Sequence, residues 1–307
     1  MFSILIPTWN NLPYLKLCIE SIHRHSAFGH EIIVHVNEGN DGTLEWVREQ
    51  NLPHTWSPGN VGVCLALNDA ARLASHKWLL FMNDDMVVTP GWDQALVSAV
   101  DAVGDQFAYL AAQLTEPTDT GNVQVNVANF GTGPDNFDEA GLLAHMANQP
   151  PSADRDGVAL QPMLVSRRLW HLVGGYSIEF GPGMSSDDDF LMKLWLVGCR
   201  IFRVVGASRI YHFGCSTTRR VRRNRGGREF LLKWGITQHA FARGYVRATA
   251  QAGAAGALPT VPESGLKGRF KRALYALKLY PTGDLRAWEP NLPAQLVTRA
   301  PDEKIGR

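Results

Sequence analysis

The segment Lys77-Trp78-Leu79-Leu80-Phe81-Met82-Asn83-Asp84-Asp85-Met86 decides the fold of this chain. Its apolar run is typical of a strand that is buried on both faces, and it ends abruptly in one amide and two carboxylates. Burying these groups costs free energy unless a partner compensates them, and a hard divalent cation with oxygen ligands is the simplest partner. The structural alternative is that Asp84 or Asp85 caps the next helix or forms an Asx-turn.

Strand and helix patterns alternate along the first half of the chain. We predict strands at 2–7, 31–36, 54–57, 77–83 and 107–114, and helices at 12–25, 43–50, 61–74 and 91–103. This order predicts right-handed βαβ units and an α/β fold with a mostly parallel sheet flanked by helices. The strand ends then bring together four polar loops, at 8–10, 37–39, 57–60 and 83–85. Such a rim is where open α/β sheets bind nucleotides.

The second half of the chain has a less regular pattern. We predict a strand and loop at 122–133, a surface loop at 148–156, strands at 161–166, 200–205 and 209–213, and helices at 167–173 and 190–197. After residue 218 the sequence turns basic: an arginine cluster at 219–228 and an Ala/Gly-rich linker at 248–257 precede a basic amphipathic helix at 267–280.

Composition is that of an ordinary soluble enzyme, with 307 residues, 45% hydrophobic and 19% charged. A net charge of +1 gives no global field toward nucleic acid or membrane. The four cysteines are scattered, which favours a reduced compartment without structural zinc. Because Met1 leads directly into a strand pattern, without a basic leader, we expect no signal peptide and a cytoplasmic location.

Seven short motifs occur along the chain in a fixed order. They are Ser3 to Asn10, Glu31 to Val34 with Asp41-Gly42-Thr43, Asn60-x-Gly62 with Asn68, Asn83-Asp84-Asp85, Gly174-Gly175-Tyr176, Ser186 to Phe190, and Tyr211-His212-Phe213. In order and spacing these motifs resemble those of family 2 glycosyltransferases. The resemblance implies a GT-A (nucleotide-diphospho-sugar transferase-like) catalytic domain at 1–218, followed by a basic loop and short helical C-terminal extension at 219–307.

The resemblance also implies a nucleotide-sugar donor held by the loops of the first half. Its donor-binding positions are Pro7, Thr8, Asn10, Asn37, Glu38, Asn60, Gly62 and Asp84. The family often carries an Asp-Asp or Asp-Asn pair at the end of the second strand, where this chain has Asn37 and Glu38. Asn37 offers a donor and an acceptor to a pyrimidine edge, and Glu38 could bind the ribose hydroxyls. The donor base therefore stays open among UDP-, dTDP- and GDP-sugars.

A metal site and a catalytic base follow from the same resemblance. Asn83 replaces the first aspartate of the Asp-x-Asp metal motif, so Asp85 is the expected direct ligand of Mn²⁺ or Mg²⁺, with Asn83 beside it. His212 is either a second ligand or a structural histidine. Asp187 is the expected base that takes the proton of an acceptor hydroxyl, although an aspartate here could also serve a helix N-terminus.

The remaining motif positions are assigned to sugar contacts. Gly175, Tyr176, Asp188 and Asp189 are expected to contact the acceptor or the donor sugar, with a helix cap as the alternative for Asp189. With a cation neutralising the departing diphosphate and a base on the opposite side, direct displacement would invert the anomeric carbon. The expected acceptor is a hydroxyl of a glycan or a lipid-linked glycan.

The basic C-terminal segments have several interpretations. Arg219 and Arg220 could clamp the diphosphate, the cluster could contact an anionic acceptor or membrane, or it could be a solvated loop. The helix at 267–280 either lies peripherally on a membrane or packs on the catalytic domain. No aromatic residues interleave the basic ones, so we expect no nucleic-acid partner.

Two rival functions stay open from the sequence. A nucleotidyltransferase of sugar-nucleotide synthesis would need a Gly-rich, basic loop after the first strand, and residues 7–11 lack one. A catalytically inactive sugar-nucleotide-binding module is disfavoured by the joint presence of Asp85, Asp187 and His212.

Overall fold

The fold was taken from a computed structural model that describes residues 1–119, 121, 124–214, 225–242, 246 and 265–279. The strands are β1 (Ser3–Trp9), β2 (Glu31–Asn37), β3 (His54–Ser57), β4 (Trp78–Phe81), β5 (Met86–Val88), β6 (Ala108–Glu116), β7 (Asn126–Val127), β8 (Arg155–Asp156), β9 (Met163–Ser166) and β10 (Ile201–His212). The helices are α1 (Leu12–His25), α2 (Thr43–Glu49), α3 (Gly62–Ala71), α4 (Trp92–Val103), α5 (Glu139–Asn148), α6 (Arg167–Val173), α7 (Ser186–Leu196), α8 (Gly226–Trp234), α9 (Gln238–Phe241) and α10 (Leu266–Leu279).

One sheet runs through the molecule in the order β3-β2-β1-β4-β9-β6-β10-β5. The pairs β1–β2, β1–β4 and β2–β3 are parallel, as predicted for the βαβ half. β6 also pairs in parallel with β10, a strand of the second half. β9 runs antiparallel to both β4 and β6, and β5 runs antiparallel to β10. The sheet is thus mostly parallel, and the antiparallel β9 joins the two parallel groups.

Both faces of the sheet are covered, because alternate residues of each strand point to opposite faces. Leu5 and Ile33 lie in the core under α3, α6, α7 and α8, whereas Ile4 and Ile32 lie in the core under α1, α2 and α4. All four residues of β4 are buried, which explains why this strand has no polar alternation.

Helix α1 has the predicted bounds, because its sequence marks both ends. A proline lies in its first turn, where no intrahelical N–H bond is lost, and basic residues occupy its last turn. Leu15, Cys18, Ile19 and Ile22 recur at helical spacing and are buried against the sheet.

Three sequence expectations are corrected by the fold. The strands predicted at 200–205 and 209–213 are one strand, β10, whose register against β6 shifts between Val205 and Arg209. The helix predicted from Phe190 begins at Ser186, so the three aspartates lie in its first turn. The three-residue strand β5 was not predicted; it is held in place by pairing with β10 rather than by its own short pattern.

Helices α5, α8 and α9 were also missed by the sequence analysis. Phe230, Ile236, Phe241 and Val246 share a core with α7, so this part of the predicted extension packs with the catalytic domain. The domain boundary at 218 itself stays a prediction. The linker predicted at 248–257 lies outside the described residues. In the ranges described, no helix combines the length and apolar character that a bilayer crossing requires.

Candidate active site

A cleft of about 980 Å³ opens at the rim where the parallel strands end. The predicted site residues that line it are Pro7, Thr8, Asn37, Asn60, Gly62, Asn83, Asp84, Asp85, Asp187, Asp188 and His212. Strand ends of the first half and α7 of the second half therefore meet in one cavity, as the strand-end argument requires.

Asp84 and Asp85 lie in the tight connection between β4 and β5. Their exposed fractions are only 8% and 4%. The hydroxyl of Thr8 donates to Oδ2 of Asp84 over 2.7 Å, which ties the end of β1 to the end of β4. Asp84 is therefore anchored by a neighbouring strand, which leaves Asp85 as the carboxylate that faces the second half of the chain.

Asp85 forms a three-residue cluster with His212 and Glu116. Nε2 of His212 lies 3.3 Å from Oδ1 of Asp85, and Nδ1 lies 2.7 Å from Oε1 of Glu116. Pairing of β10 with β5 brings His212 opposite Met86, the residue after Asp85. Burial alone would lower the pKa of His212, but the Asp85 and Glu116 carboxylates raise it to about 10. The two carboxylates therefore favour the protonated imidazole, and a cation bound by Asp85 and His212 would have to displace the proton on Nε2.

These donors fit a divalent cation that also binds substrate phosphate. Oδ1 of Asp85 and Nε2 of His212 lie 3.3 Å apart, so both atoms would be near enough to hold one cation. Glu116 orients the imidazole from its far side, as carboxylates commonly do for metal-binding histidines. Although Asp85, His212 and Glu116 are neighbours, the described part of the chain has no group of three His, Cys, Asp or Glu side chains that could together hold a metal ion. Two protein ligands and diphosphate oxygens are the arrangement that small divalent cations often adopt.

Asn37 braces the loops around the cleft. Its Oδ1 accepts from the Val61 amide over 2.9 Å and from the Ser57 hydroxyl over 3.3 Å, and its Nδ2 donates to the Thr8 carbonyl over 3.3 Å. The amide expected to contact a pyrimidine edge is thus engaged in holding the ends of β1, β2 and β3 together.

Asn10 and Glu38 lock the first two loops to each other. Nδ2 of Asn10 donates to Oε2 of Glu38 over 2.9 Å, and Oδ1 of Asn10 accepts from the amides of Gly39 and Asn40. Neither residue is among the described residues that line the cleft. The donor-binding role of Asn10 and the contact of Glu38 with the ribose hydroxyls stay predictions.

Asn60 and Gly62 shape the start of α3. Oδ1 of Asn60 accepts from the Gly62 amide over 2.9 Å, which is an Asx-turn. Gly62 has a φ of +78°, and a Cβ there would lie 2.6 Å from the Cα of Pro182. The small residue at 62 therefore admits the loop of Pro182, which leads into α7, in addition to any role toward the diphosphate.

Asp187 enters the cleft from the first turn of α7. Its Oδ1 accepts from the Tyr176 hydroxyl over 2.8 Å, and its carboxylate also hydrogen-bonds the Gln161 side chain. Burial raises the pKa of Asp187 to about 6; the Tyr176 and Gln161 hydrogen bonds oppose this rise, and the Asp188 charge adds to it. A carboxylate with this pKa is deprotonated near neutrality and more basic than an ordinary aspartate, which suits a general base.

Tyr176 lies behind Asp187 and is not among the described residues that line the cleft. It is 2% exposed and stacks on Phe190 with ring centroids 4.8 Å apart. Asn68 fixes the Tyr176 backbone by accepting from its amide and donating to its carbonyl. Gly175 has a φ of +63°, and a Cβ there would meet Asn68 Oδ1 at 2.3 Å. The Gly-Gly-Tyr motif thus holds the Asp187 side chain in place, and the sugar contacts expected of Gly175 and Tyr176 stay a prediction.

Asp188 and Asp189 have different surroundings. Asp188 lines the cleft and accepts from Nε2 of Gln238. Asp189 is fully buried, accepts from Nε1 of Trp234 over 2.8 Å and pairs with Lys233 over 2.8 Å. Asp189 therefore ties α7 to α8, and its predicted sugar contact is corrected to a structural role, since all of its carboxylate is enclosed.

Three residues at the site were missed by the sequence analysis. Glu116 ends the buried strand β6, and the strand-end argument that singled out Asp84 and Asp85 would have found it. Gln161 and Gln238 have no comparable signal, because each reaches the aspartates of α7 from a segment that is distant in sequence. Arg219 and Arg220 lie outside the described residues. Arg225 and Arg228, from the same arginine cluster, line the cleft with Tyr275 of α10.

Sequence comparison gives a family match. Residues 3–143 match the model of "Glycosyl transferase family 2". A "PGL/p-HBAD biosynthesis glycosyltransferase" of Mycobacterium tuberculosis is 28% identical over 232 residues, which cover 71% of this chain and 80% of that protein. The protein of the same description from Mycobacterium bovis has the same identity and coverage.

Solved structures show the same fold. A crystal structure of GalNAc-T7 with UDP, GalNAc and Mn²⁺ superposes with a TM-score of 0.55 at 13% identity, over 95% of this chain and 59% of that one. S. aureus TarS 1-349 superposes with a TM-score of 0.50 at 16% identity, over 69% and 60% of the two chains. The chain thus spans about 60% of the length of either solved structure. The chain thus has the GT-A fold of these neighbours, and its first half, including the acidic end of β4, is similar to the family 2 glycosyltransferases.

Proposed function

We propose that this glycosyltransferase moves a sugar from a nucleoside-diphosphate donor to a hydroxyl of a glycan or lipid-linked glycan, with inversion and with a divalent cation. One observation carries the proposal: a single cleft holds both the Asp85–His212 pair and Asp187, whose pKa of about 6 suits a base. The GalNAc-T7 structure, which contains UDP and Mn²⁺, supports the choice of donor class and cation.

In this proposal the chain's residues divide the reaction between two parts of the cleft. Asp85 and His212 would hold Mn²⁺ or Mg²⁺ against the diphosphate, with Glu116 fixing the imidazole. A bound cation would supply Lewis-acid neutralisation of the charge that develops on the departing diphosphate. Asp187 accepts the proton of the acceptor hydroxyl while that oxygen attacks the anomeric carbon. Because one base activates an external nucleophile and no covalent sugar intermediate forms, the configuration inverts.

A donor screen tests this function. We expect one of the UDP-, dTDP- or GDP-sugars to raise the melting temperature of the full chain, with a larger rise when Mn²⁺ is present. A ligand at one hundred times its Kd adds about 2.7 kcal/mol of stability, which corresponds to several degrees for a protein of this size. Mn²⁺ with the matching sugar 1-phosphate is the control.

The same screen separates the rivals. Stabilisation by nucleoside triphosphate and sugar phosphate instead would indicate a nucleotidyltransferase. A donor that binds but is neither hydrolysed nor transferred would indicate an inactive binding module. Either result would contradict the proposal.

The raised pKa of Asp187 predicts the pH profile of transfer. The base acts when deprotonated, so kcat/KM should rise with pH through about 6 and level off above it. Tyr176→Phe removes a hydrogen bond that favours the carboxylate and should move the acid limb up by about one pH unit. Asp188→Asn removes a neighbouring negative charge and should move the limb down.

A matched tyrosine provides the control for this profile. Tyr109 is also buried in the same core, but its hydroxyl donates to the carbonyls of Ala159 and Leu160. Tyr109→Phe should leave the acid limb in place. A limb that does not move in Tyr176→Phe, or that moves equally in Tyr109→Phe, would refute the assignment of the limb to Asp187.

A further inference from the structure

Helix α10 presents an unusual apolar face. Leu266, Phe270 and Leu274 follow one another at intervals of four residues, so they share one side of the helix. Their exposed fractions are 85%, 68% and 41%. Three large apolar side chains on three consecutive turns form a continuous exposed stripe, which is costly to leave in water.

The opposite side of α10 attaches the helix to the protein. Nη2 of Arg272 donates to the Leu232 carbonyl of α8 over 3.2 Å. Arg228 donates to the Tyr275 carbonyl over 3.5 Å, and its guanidinium carbon lies 5.6 Å from the Tyr275 ring centroid. At 3.6 residues per turn, Tyr275 projects about 180° away from Leu266. The helix therefore packs through its polar and aromatic side, and its apolar stripe points outward.

Positive charge borders the stripe. Lys267 and Lys271 flank it on one side and Arg269 on the other, and all three are exposed. The sequence of α10 contains five basic residues and no acidic one, although the whole chain has a net charge of only +1. An exposed apolar face with a purely basic border is complementary to a surface whose outer layer is anionic and whose interior is apolar.

We propose that this face of α10 binds the surface of a bilayer containing anionic lipids. Leu266, Phe270 and Leu274 would enter the boundary between headgroups and acyl chains, and the flanking lysines would meet lipid phosphates. A second copy of the chain fits the face less well, because a symmetric contact would bring two basic borders together.

The apolar face of α10 lies near the catalytic cleft, so a bilayer bound to this face would also lie near the cleft. Tyr275 of α10 lines the catalytic cleft, while the stripe on the same helix faces outward. One helix is only about 10 Å across, so a bilayer bound to the stripe lies next to one wall of the cleft. The surface thus suits an acceptor carried by a lipid, but its binding to vesicles requires neither donor nor transfer.

Vesicle sedimentation with the full chain tests the proposal without any substrate. We expect binding to vesicles of 70% phosphatidylcholine and 30% phosphatidylglycerol, little binding to pure phosphatidylcholine, and weaker binding at high salt. The variant Leu266→Ser/Phe270→Ser should lower the partition coefficient at least about tenfold, since two large apolar contacts with the bilayer are lost. Lys267→Glu/Lys271→Glu should remove the preference for the anionic vesicles.

A matched pair of exposed leucines elsewhere controls for general surface hydrophobicity. Leu73 and Leu172 are 44% and 55% exposed and lie outside α10. Leu73→Ser/Leu172→Ser should bind vesicles like the unchanged protein. The proposal is overturned if the unchanged chain does not bind anionic vesicles, or if Leu266→Ser/Phe270→Ser binds as tightly as the control. It is also overturned if light scattering shows a dimer that this variant alone converts to a monomer.

Discussion

Asp187→Asn should reduce transfer by about a thousandfold or more while donor binding stays intact. An amide keeps the shape of the carboxylate and can still receive the Tyr176 hydroxyl, but it cannot accept a proton from the acceptor. Loss of a positioned general base usually costs 10²- to 10⁴-fold in rate, roughly. The residue lies on α7, whereas the residues proposed to hold the cation against the diphosphate lie at the ends of β4 and β10, so the donor Kd should change little.

The rate of transfer and the affinity for the donor must both be measured on the same variants. Transfer is followed as release of nucleoside diphosphate from the donor found in the screen, and donor affinity is followed by calorimetry with Mn²⁺. Asp188→Asn is the matched control, because it changes the adjacent carboxylate, which is held by Gln238. We expect less than about a tenfold loss there, since Asp188 does not take the proton. Near-normal turnover of Asp187→Asn, or a greater loss in Asp188→Asn, would refute the base assignment.

Asp85→Asn should nearly abolish metal-dependent turnover. The substitution removes the anionic group proposed to bind the cation and leaves the neutral donors of His212 and Asn83. Because a cation at the diphosphate is worth several kcal/mol of transition-state stabilisation, we expect about a thousandfold loss of kcat/KM. The affinity of the donor in the presence of Mn²⁺ should fall as well, and excess chelator should stop turnover of the unchanged enzyme.

Variants of two neighbouring carboxylates distinguish a metal-binding role of Asp85 from a simple ion pair between Asp85 and His212. Asp84→Asn keeps the Thr8 contact and should retain the Mn²⁺ dependence of the unchanged enzyme. Glu116→Gln should weaken Mn²⁺ binding by about 10- to 100-fold, because Glu116 orients His212 from behind. Full activity in excess chelator would rule out the cation. If Asp85→Asn lowered only the melting temperature and left the response to Mn²⁺ unchanged, the Asp85–His212 contact would be a structural ion pair.

Local sequence patterns were sufficient to predict the parallel βαβ half of the fold. The apolar run that ends in Asn83, Asp84 and Asp85 gave the buried strand β4, and the bounds of α1 were predicted to the residue. Because the ends of parallel strands share a rim, the sequence also predicted that Thr8, Asn37, Asn60 and Asp85 line one cleft. These results depend on short-range periodicity and on one topological rule, which a sequence carries directly.

Contacts between distant segments decided the detailed roles within the site. Asn37 looked like a base-contacting amide, but its hydrogen bonds to Val61 and Thr8 appear only when three strand ends are assembled. Tyr176 is 11 positions from Asp187 in sequence, and its packing on Phe190 turns it into a hydrogen-bond donor behind the base. The partners of an amide or a hydroxyl depend on orientation, which residue type and spacing do not specify.

The sequence by itself determined which side chains this protein offers for chemistry, namely strand-end carboxylates, a helix-start aspartate and a histidine after a buried strand. Tertiary structure alone decided which of them meet. The short strand β5 places Asp85 beside His212, β6 adds Glu116 behind it, and α10 packs through Tyr275 so that Leu266 and Phe270 face outward. Periodicity fixes the side of a helix or strand on which a residue lies, but the surface that covers that side is selected by the packing of the whole chain.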